Sequence, residues 1–246
     1  MLHAIALIFG LIMGSFLGVV IDRLPKGESI VHGRSRCEFC NRDLDPIELV
    51  PIFSYVFQGG KCRKCKTKLS LRYPLLEIIT GVSYLMVYDH FGYTIQTITS
   101  IIFVSILIVI TFIDIDTMTI YDRFHIFVLI LALIDFFIFK KDLLNLIIGA
   151  LIVSVPLFII ALLTGGMGGG DIKLMFVAGA YLGFPNILAA FIIAVGFGGI
   201  YGIFTLISKK HEGKDAIPFG PFLCLGLFLA LLYGQPLINW YLSLLR

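Results

Sequence analysis

The chain has 246 residues, of which 59% are hydrophobic and 14% are charged, and its formal net charge is +3. With a mean hydropathy of +0.99, this composition excludes an ordinary soluble domain and predicts an all-α polytopic membrane protein. Helices are expected because isolated strands would leave backbone groups unpaired in lipid.

The first apolar segment, Leu2–Ile21, is long enough to span a bilayer. It lacks the basic start and the cleavage site of a signal peptide, so we predict a retained membrane helix. The residues that follow are polar and rich in lysine and arginine, which predicts a small soluble insert. We therefore divide the chain into a first transmembrane helix (1–22), an insert (23–73) and a transmembrane core (74–246).

Seven further apolar segments follow the insert, and together with the first one they predict about eight transmembrane helices. The segment Ile172–Leu182 is short for a span. We expect the tail, Gln235–Arg246, to lie at the membrane interface, with Trp240 and Tyr241 as anchors. The seven segments are Pro74–Tyr88, Tyr93–Ile113, Phe124–Phe139, Leu143–Leu163, Ile172–Leu182, Ile187–Ile207 and Phe219–Tyr233.

Lysine and arginine are concentrated in the insert and in the segments that follow Ile113, Leu163 and Ile207. Because basic residues mark the cytoplasmic side of a membrane protein, we place the insert in the cytoplasm. Lys140 and Lys141 are a local exception to this bias. The basic residues of the later cytoplasmic segments are Arg123, Lys173, Lys209, Lys210 and Lys214. Arg246 falls on the outer side.

Two Cys-x-x-Cys pairs stand in the insert, Cys37 with Cys40 and Cys62 with Cys65. Four thiolates form the closed tetrahedral set that Zn²⁺ takes in structural sites. We predict a zinc ion that stabilises an insert too small for a core of its own and that has no catalytic role. The alternative is two separate redox pairs, but no thioredoxin-like strand and helix surround them.

The insert also contains one apolar piece, Ile47–Phe57. Such a piece either lies on the membrane surface or packs on the metal site. The basic residues of the insert are explained by the charge bias, and aromatic residues among them are few, so we predict no nucleic-acid partner.

Residues 165–173 carry five glycines, Asp171 and Lys173 between long apolar segments. Ionisable groups near a bilayer are costly and are functional candidates, and glycines allow another backbone to approach closely. The simpler interpretation is a flexible loop in which Asp171 caps a helix. A phosphate-binding loop is less consistent, because the residue directly before the lysine is not glycine and the residue directly after it is not serine or threonine.

Asp114, Asp116 and Asp122 fall on the same predicted side of the membrane as Asp171. Two carboxyls that lie close together share one proton, so that one activates a water while the other polarises a carbonyl, as in aspartic proteases. Residues two apart on a helix point about 200° apart, so Asp114 and Asp116 cannot both face Asp171. Their spacing leaves open which of them does.

Serine and cysteine mechanisms fit this chain less well. Cys224 is the only cysteine outside the pairs and is expected to be a small core residue. The five histidines do not cluster, and we expect His125, which follows the Asp114 region, at the surface or the membrane interface.

Several motifs, in order along nearly the whole chain, resemble those of the type 4 prepilin peptidases. Gly168-Gly169-Gly170-Asp171 resembles the Gly-x-Gly-Asp signature of intramembrane aspartyl proteases. The length is most similar to that of the late competence branch in Gram-positive bacteria. The other motifs are Gly14-Ser15-Phe16-Leu17, Arg23-Leu24-Pro25, the two cysteine pairs, Leu71-Arg72-Tyr73-Pro74 with Glu77, and Pro218-Phe219-Gly220-Pro221-Phe222.

The resemblance implies that Asp114 and Asp171 are the catalytic pair, since Asp114 opens the family's Asp-x-Asp-x-x-x-x-Pro-Asp pattern. Tyr121 stands at the proline position of that pattern, which removes no carboxylate. The resemblance also implies an active-site loop formed by Gly168, Gly169, Gly170 and Lys173.

The implied substrate is a type IV prepilin or competence pseudopilin precursor, whose short basic leader is removed at the cytoplasmic face of the bacterial membrane. Many relatives also methylate the new N-terminus with S-adenosylmethionine. Gly18 stands where many of them have asparagine, which leaves methylation open. Membrane lipids are the other expected partners.

Two other classes of protein share some of these features. A secondary transporter would use broken glycine-rich helices and paired acids, but it predicts midplane acids and an internal repeat. A zinc-anchored scaffold of a pilus or secretion assembly predicts instead that neither aspartate matters for processing.

Overall fold

A computed structural model describes residues 1–37, 39–207 and 217–244. Within these residues the chain forms nine α helices and one 3-10 helix, Pro46–Leu49. The α helices are α1 (Leu2–Arg23), α2 (Phe53–Phe57), α3 (Arg72–Phe91), α4 (Ile95–Thr117), α5 (Asp122–Phe139), α6 (Leu143–Thr164), α7 (Gly169–Leu182), α8 (Asn186–Ile207) and α9 (Gly220–Leu244).

The eight predicted apolar segments coincide with α1 and α3–α9. Five of these helices, α1, α4, α6, α8 and α9, are long and apolar enough to cross a membrane. Of the other three, α7 has only 14 residues, and α3 and α5 each contain acidic and basic side chains. The described residues are therefore all-helical, with five helices that are candidates for crossing the membrane. The full number of eight spans stays a prediction.

The end of the chain differs from the sequence prediction. The apolar segment was expected to stop at Tyr233, but α9 continues through Pro236 to Leu244. Trp240 and Tyr241 lie on this last part of the helix and are exposed. Lys209, Lys210, Lys214 and Arg246, which the orientation argument used, lie outside the described residues.

The described chain packs as two compact units, Met1–Thr97 and Ile98–Arg246. The predicted boundaries between first helix, insert and core stay a prediction.

In the first unit, α1 and α3 lie antiparallel along their whole length. A Cβ atom on Gly10 would lie 2.7 Å from the Cα of Gly81, and one on Gly14 would lie 2.7 Å from the Cα of Glu77. Small residues therefore let these two backbones meet, as in membrane helix pairs. Near the other end of the helices, the Tyr73 hydroxyl donates to Asp22 at 3.0 Å.

The insert is tied to α3 through a tight turn at Ile52. The N–H of Phe53 donates to the carbonyl of Pro51 at 2.6 Å. The N–H of Ile52 donates to Oε2 of the buried Glu77 at 2.7 Å. α2 begins directly after this turn and packs against the 3-10 helix.

In the second unit, close helix packing again depends on glycine. The backbones of α6 and α7 meet at Gly149 and Gly179, where a Cβ on either residue would overlap the other chain segment. α8 and α9 pack in the same way at Gly226. The core around these contacts includes the fully buried Phe103, whose ring lies 4.4 Å from that of Tyr181.

An ion pair lies at the opposite end of α7 from its glycine-rich start. The Lys141 ammonium donates to Asp135 at 3.1 Å and to the carbonyl of Tyr181 at 3.0 Å. Asp135 is buried, so its charge requires this partner. The ion pair accounts for Lys141, which the sequence left as an exception to the charge bias.

Candidate active site

Asp114 lies in the last turn of α4 and is buried, with 5% of its surface exposed. Its Oδ2 accepts a hydrogen bond of 3.1 Å from the N–H of Gly220, the first residue of α9. A Cβ on Gly220 would lie 2.5 Å from the same oxygen, so the contact requires glycine. The Pro218–Pro221 segment therefore reaches Asp114 from another helix.

Asp171 lies in the first turn of α7, half-buried, where Gly168 occupies the N-cap position in an extended conformation. Asp114 and Asp171 are close enough for their charges to repel each other directly. The buried Cys224 is close enough to both carboxylates for their charges to act on its thiol. This predicted core residue therefore lies beside the pair. The second unit thus brings together two acids that stand 57 positions apart in the sequence.

The neighbouring acid Asp116 differs from Asp114 in its surroundings. Asp114 is buried whereas Asp116 is exposed, as expected for residues two apart on one helix. This geometry supports Asp114 as the partner of Asp171.

The glycines of the loop differ in the room around them. A Cβ on Gly169 would meet nothing within 4 Å, whereas one on Gly170 would lie 3.0 Å from Ile120. Gly168 has only Asp171 itself near its Cβ position, at 3.7 Å. Open backbone therefore borders Asp171 on its N-terminal side.

Lys173 pairs with Asp122, the first residue of α5, at 2.7 Å. Asp122 Oδ1 also lies 3.4 Å from Nδ1 of His125, and His125 Nε2 lies 3.1 Å from the carbonyl oxygen of Gly170. His125 was expected at the surface or the membrane interface, and its burial, with 6% exposed, excludes the surface position. A single histidine on an apolar helix does not reveal which face packs on a neighbour.

The four paired cysteines come together in the first unit. Their sulfur atoms all lie within 4.8 Å of one another, and Cys37 Sγ is 3.8 Å from Cys65 Sγ. Two sulfurs of a tetrahedral zinc site, each about 2.3 Å from the metal, lie about 3.8 Å apart. The cluster can therefore hold a metal ion of the predicted kind.

The two cysteine pairs are built in the same way. The N–H of Cys37 donates to the carbonyl of Arg42 at 2.9 Å, and that of Cys62 donates to Thr67 at 3.0 Å, five residues on in each case. Asn41 and Lys66, four residues after these cysteines, both have positive φ angles. This tight backbone leaves N–H groups pointing at sulfur: those of Cys65 and Lys64 lower the pKa of Cys62 to about 6, whereas burial raises the pKa of Cys37 to about 11. Thiolates are the form that binds metal.

Glu48 joins the two cysteine pairs, and sequence reasoning missed it. Its buried carboxylate accepts from Arg42 at 2.6 and 2.7 Å and from the N–H of Asp45 at 3.0 Å. Arg63, beside the second pair, lies 3.9 Å away. Burial opposes ionisation, but the hydrogen bonds from Asp45 and Arg42 outweigh it and lower the pKa of Glu48. The Asp45-Pro46 step, with Glu48 three residues after Asp45, was the available signal, since it is a capping pattern.

Comparison with known proteins agrees with this arrangement. The sequence model of the bacterial peptidase A24 N-terminal domain matches residues 8–91, and that of the type IV leader peptidase family matches residues 101–203. A relative in Bacillus subtilis, called prepilin leader peptidase/N-methyltransferase, is 37% identical over 246 residues, with 98% of each chain covered. The chain belongs to the type IV leader peptidase family.

Relatives of this leader peptidase family with the same description occur in other bacteria. One in Pseudomonas aeruginosa is 31% identical over 267 aligned residues, covering 96% of this chain and 92% of its own. One in Aeromonas salmonicida is 29% identical over 272 residues, covering 98% and 94%. No solved structure matches the chain.

Membership in the leader peptidase family distinguishes between the three functions that the sequence left open. It favours a protease over both a secondary transporter and a zinc-anchored scaffold. The family match at 101–203 includes Asp114 and Asp171 but ends before Gly220. The Gly220 contact with Asp114 is thus a finding of the structure.

Proposed function

We propose that this chain is an intramembrane aspartic endopeptidase that removes the short basic leader from type IV prepilin-like precursors. Asp114 and Asp171 are its proposed catalytic pair. The observation that carries the proposal is the approach of these two carboxylates, one held by the N–H of Gly220 and the other in the first turn of α7. The family supports the reaction and the kind of substrate.

The proposed chemistry needs one ionised and one protonated carboxyl. The ionised carboxylate takes a proton from a water as the water oxygen attacks the carbonyl carbon of the scissile peptide bond. The protonated partner gives its proton to the carbonyl oxygen. When the tetrahedral intermediate collapses, the C–N bond breaks and the leaving nitrogen takes a proton, which yields a new carboxyl and a new amino terminus.

The glycine loop is proposed to admit the substrate backbone. The open space at Gly168 and Gly169 supports this role, because an extended peptide needs an approach free of side chains. Lys173, predicted as part of the loop, pairs with Asp122. We therefore assign it to holding the start of α7 rather than to contacting the peptide bond.

The protein is proposed to lie in the bacterial cytoplasmic membrane with the insert and both aspartates on the cytoplasmic side. The five apolar helices support a multi-pass membrane protein. The concentration of lysine and arginine in the insert supports the orientation. The leader of a precursor is then cut on the side where it is made.

The finer substrate assignment is a competence pseudopilin precursor, supported by the overall length and motif order of the chain. The relatives' names also support N-methylation of the product with S-adenosylmethionine. A Cβ on Gly18 would make ordinary contacts of 3.5 Å with Leu76 and 3.7 Å with Tyr73, so packing does not demand glycine there.

Zinc is the proposed metal of the four cysteines, with a structural role. All four positions of a tetrahedral ion are filled by Cys37, Cys40, Cys62 and Cys65, which leaves none for a substrate.

The test is co-expression with a pilin-like precursor in bacteria, with product size as the readout. We expect Asp114→Asn and Asp171→Asn to abolish cleavage, because an amide neither takes a proton from water nor donates an acidic one. Asp116→Asn is the matched control and should retain cleavage, since Asp116 is exposed. The mass of the product's N-terminus shows in the same experiment whether a methyl group has been added.

Each outcome decides between named alternatives. Loss of cleavage in both Asp114→Asn and Asp171→Asn excludes the transporter and the scaffold. If Asp116→Asn loses cleavage and Asp114→Asn keeps it, the protein is still an aspartic peptidase, but Asp116 rather than Asp114 belongs to the catalytic pair. Cleavage by all three variants overturns the aspartic mechanism.

A further inference from the structure

The apolar piece of the insert is exposed in the described structure. Its 3-10 helix, the turn at Ile52 and α2 together present six large apolar side chains outward, of which Phe57 is 83% exposed. The rings of Phe53 and Phe57 stack with centroids 6.5 Å apart. The six residues, here called the apolar patch, are Ile47, Leu49, Val50, Phe53, Val56 and Phe57.

Contacts with α3 and α1 set the depth of this patch relative to the membrane helices. Ile52, in the middle of the patch sequence, is bonded to Glu77 of α3 at 2.7 Å. Glu77 in turn lies level with Gly14 of α1, since a Cβ on Gly14 would be 2.7 Å from its Cα. Gly14 is nine residues before Arg23, the charged end of α1. At a rise of about 1.5 Å per residue this places Glu77 about 13 Å from Arg23 along the helix.

Glu77 lies on the membrane side of Arg23. Half the hydrocarbon thickness of a bilayer is about 15 Å, and α1 is an apolar helix of spanning length. A glutamate side chain is much shorter than 13 Å, so Ile52 also lies below the level of Arg23, toward the hydrocarbon. The patch that surrounds Ile52 therefore lies on the hydrocarbon side of Arg23, alongside the apolar helix α1.

We propose that the apolar patch inserts into the lipid leaflet on the side of the insert and anchors the zinc-binding insert to the bilayer. The same environment covers the outward face of α1, where Ile8, Phe9 and Ile12 are about half exposed. Phenylalanine and aliphatic side chains at this depth bind through burial of apolar area in the acyl region. The insert is thus partly a membrane-surface element rather than a domain surrounded by water.

The test uses the full chain in phosphatidylcholine vesicles and tryptophan fluorescence. Trp240 is the single native tryptophan, so the Trp240→Phe protein has no tryptophan fluorescence of its own. On that background Phe57→Trp reports on the patch. Val31→Trp is the control: Val31 is 80% exposed in the loop that Arg23 holds through the carbonyls of Ser29, His32 and Arg34.

We expect lipids brominated on the acyl chains to reduce the emission of the Phe57→Trp protein about twofold, and to leave the Val31→Trp protein unchanged. Emission of the Phe57→Trp protein should also resist iodide in the aqueous phase. If that variant does not fold, Phe53→Trp places the probe on the same surface.

Two results would overturn the proposal. Quenching of the Phe57→Trp protein by iodide and not by brominated lipid would show a patch in water. Protection from both quenchers in vesicles that contain only this chain would show that protein, from the same or a second copy, covers the patch. The outcome is independent of whether cleavage occurs.

Discussion

Asp114 is held by a backbone N–H from a residue that has no side chain. In Gly220→Ala the new Cβ would lie 2.5 Å from Oδ2 and 3.0 Å from Cγ of Asp114, so the carboxylate must move. We expect kcat for precursor cleavage to fall about 10- to 100-fold, because small displacements of a reacting group are costly.

Gly202→Ala is the matched control for this change. A Cβ on Gly202, in α8, would meet nothing within 4 Å. Steady-state cleavage by that variant should equal that of the wild type. Wild-type kcat in Gly220→Ala would show that the Gly220 contact plays no part in the reaction.

His125 supports the residue next to Asp171 through the carbonyl of Gly170. A carbonyl oxygen only accepts hydrogen bonds, so Nε2 is the donor in this contact. Glutamine carries its amide nitrogen to about the position of Nε2, whereas asparagine does not reach it. We expect His125→Gln to keep most of the cleavage rate and His125→Asn to lower kcat about tenfold with KM unchanged.

Thermal unfolding of the same two proteins provides the control. Both replacements put a polar side chain at the same buried position. If the two proteins have equal Tm but different kcat, the difference reflects the position of α7 rather than overall stability. Equal kcat in both variants contradicts the expectation.

The sequence could identify these residues but not their partners. Asp114 and Asp171 stand out because carboxylates beside apolar segments are rare. The Asp114–Gly220 contact joins positions 106 apart, and helical periodicity carries no information over that separation. The burial of His125 was not predicted for the same reason, since its environment is set by α7 and not by its own helix.

Glu48 determines how the two cysteine pairs are held against each other. Its carboxylate is 1% exposed and pairs with Arg42 at 2.6 Å. We expect Glu48→Gln to destabilise the insert by about 1.5–3 kcal/mol, the usual value of a hydrogen bond to a charged group. Because the pKa of Glu48 is lowered in the folded chain, this stabilisation is present at neutral pH and is lost as the pH falls through the lowered pKa.

Limited proteolysis of the insert at neutral pH measures this change. Asp43→Asn is the control, since its ion pair with Arg36 is largely exposed. It should alter stability by less than about 0.5 kcal/mol. Equal protection of Glu48→Gln and the wild type would contradict the role given to Glu48.

Helices were the most predictable elements of this chain, and their ends were less so. Apolar segments gave the positions of α1 and α3–α9 because a chain in lipid has few other options. The extension of α9 through Pro236 to Leu244 was missed. The short α2 and the 3-10 helix lack the length at which periodicity is informative. The cysteine spacing predicted the cluster, whereas the capping pattern at Asp45 and Glu48 does not reveal the contacts of Glu48 with Arg42 and Arg63.

The two compact units divide the proposed roles between them. All four cysteines lie within Met1–Thr97, whereas Asp114, Asp171 and Gly220 lie within Ile98–Arg246. We expect Cys62→Ser to abolish the proposed zinc binding and expose the insert to protease, while precursor cleavage continues at a reduced level. Metal content by mass spectrometry and product size on a gel measure the two effects.

Cys224→Ser is the control for losing a thiol. Cys224 is buried beside the aspartates and is not part of the metal cluster. Its replacement should leave zinc content unchanged. Complete loss of cleavage in Cys62→Ser, together with normal amounts of protein, would show that the metal has more than a structural role.

The backbone at Ile52 is a γ-turn of the strained kind. Its φ of 62° and ψ of −53° are rarely adopted by β-branched residues and cost about 1–3 kcal/mol. The hydrogen bond to the Glu77 carboxylate is worth a similar amount, about 1.5–3 kcal/mol. The bend that carries α2 toward the bilayer is therefore stable only while α3 supplies that carboxylate, and the geometry of the insert depends on a single acid in a neighbouring helix.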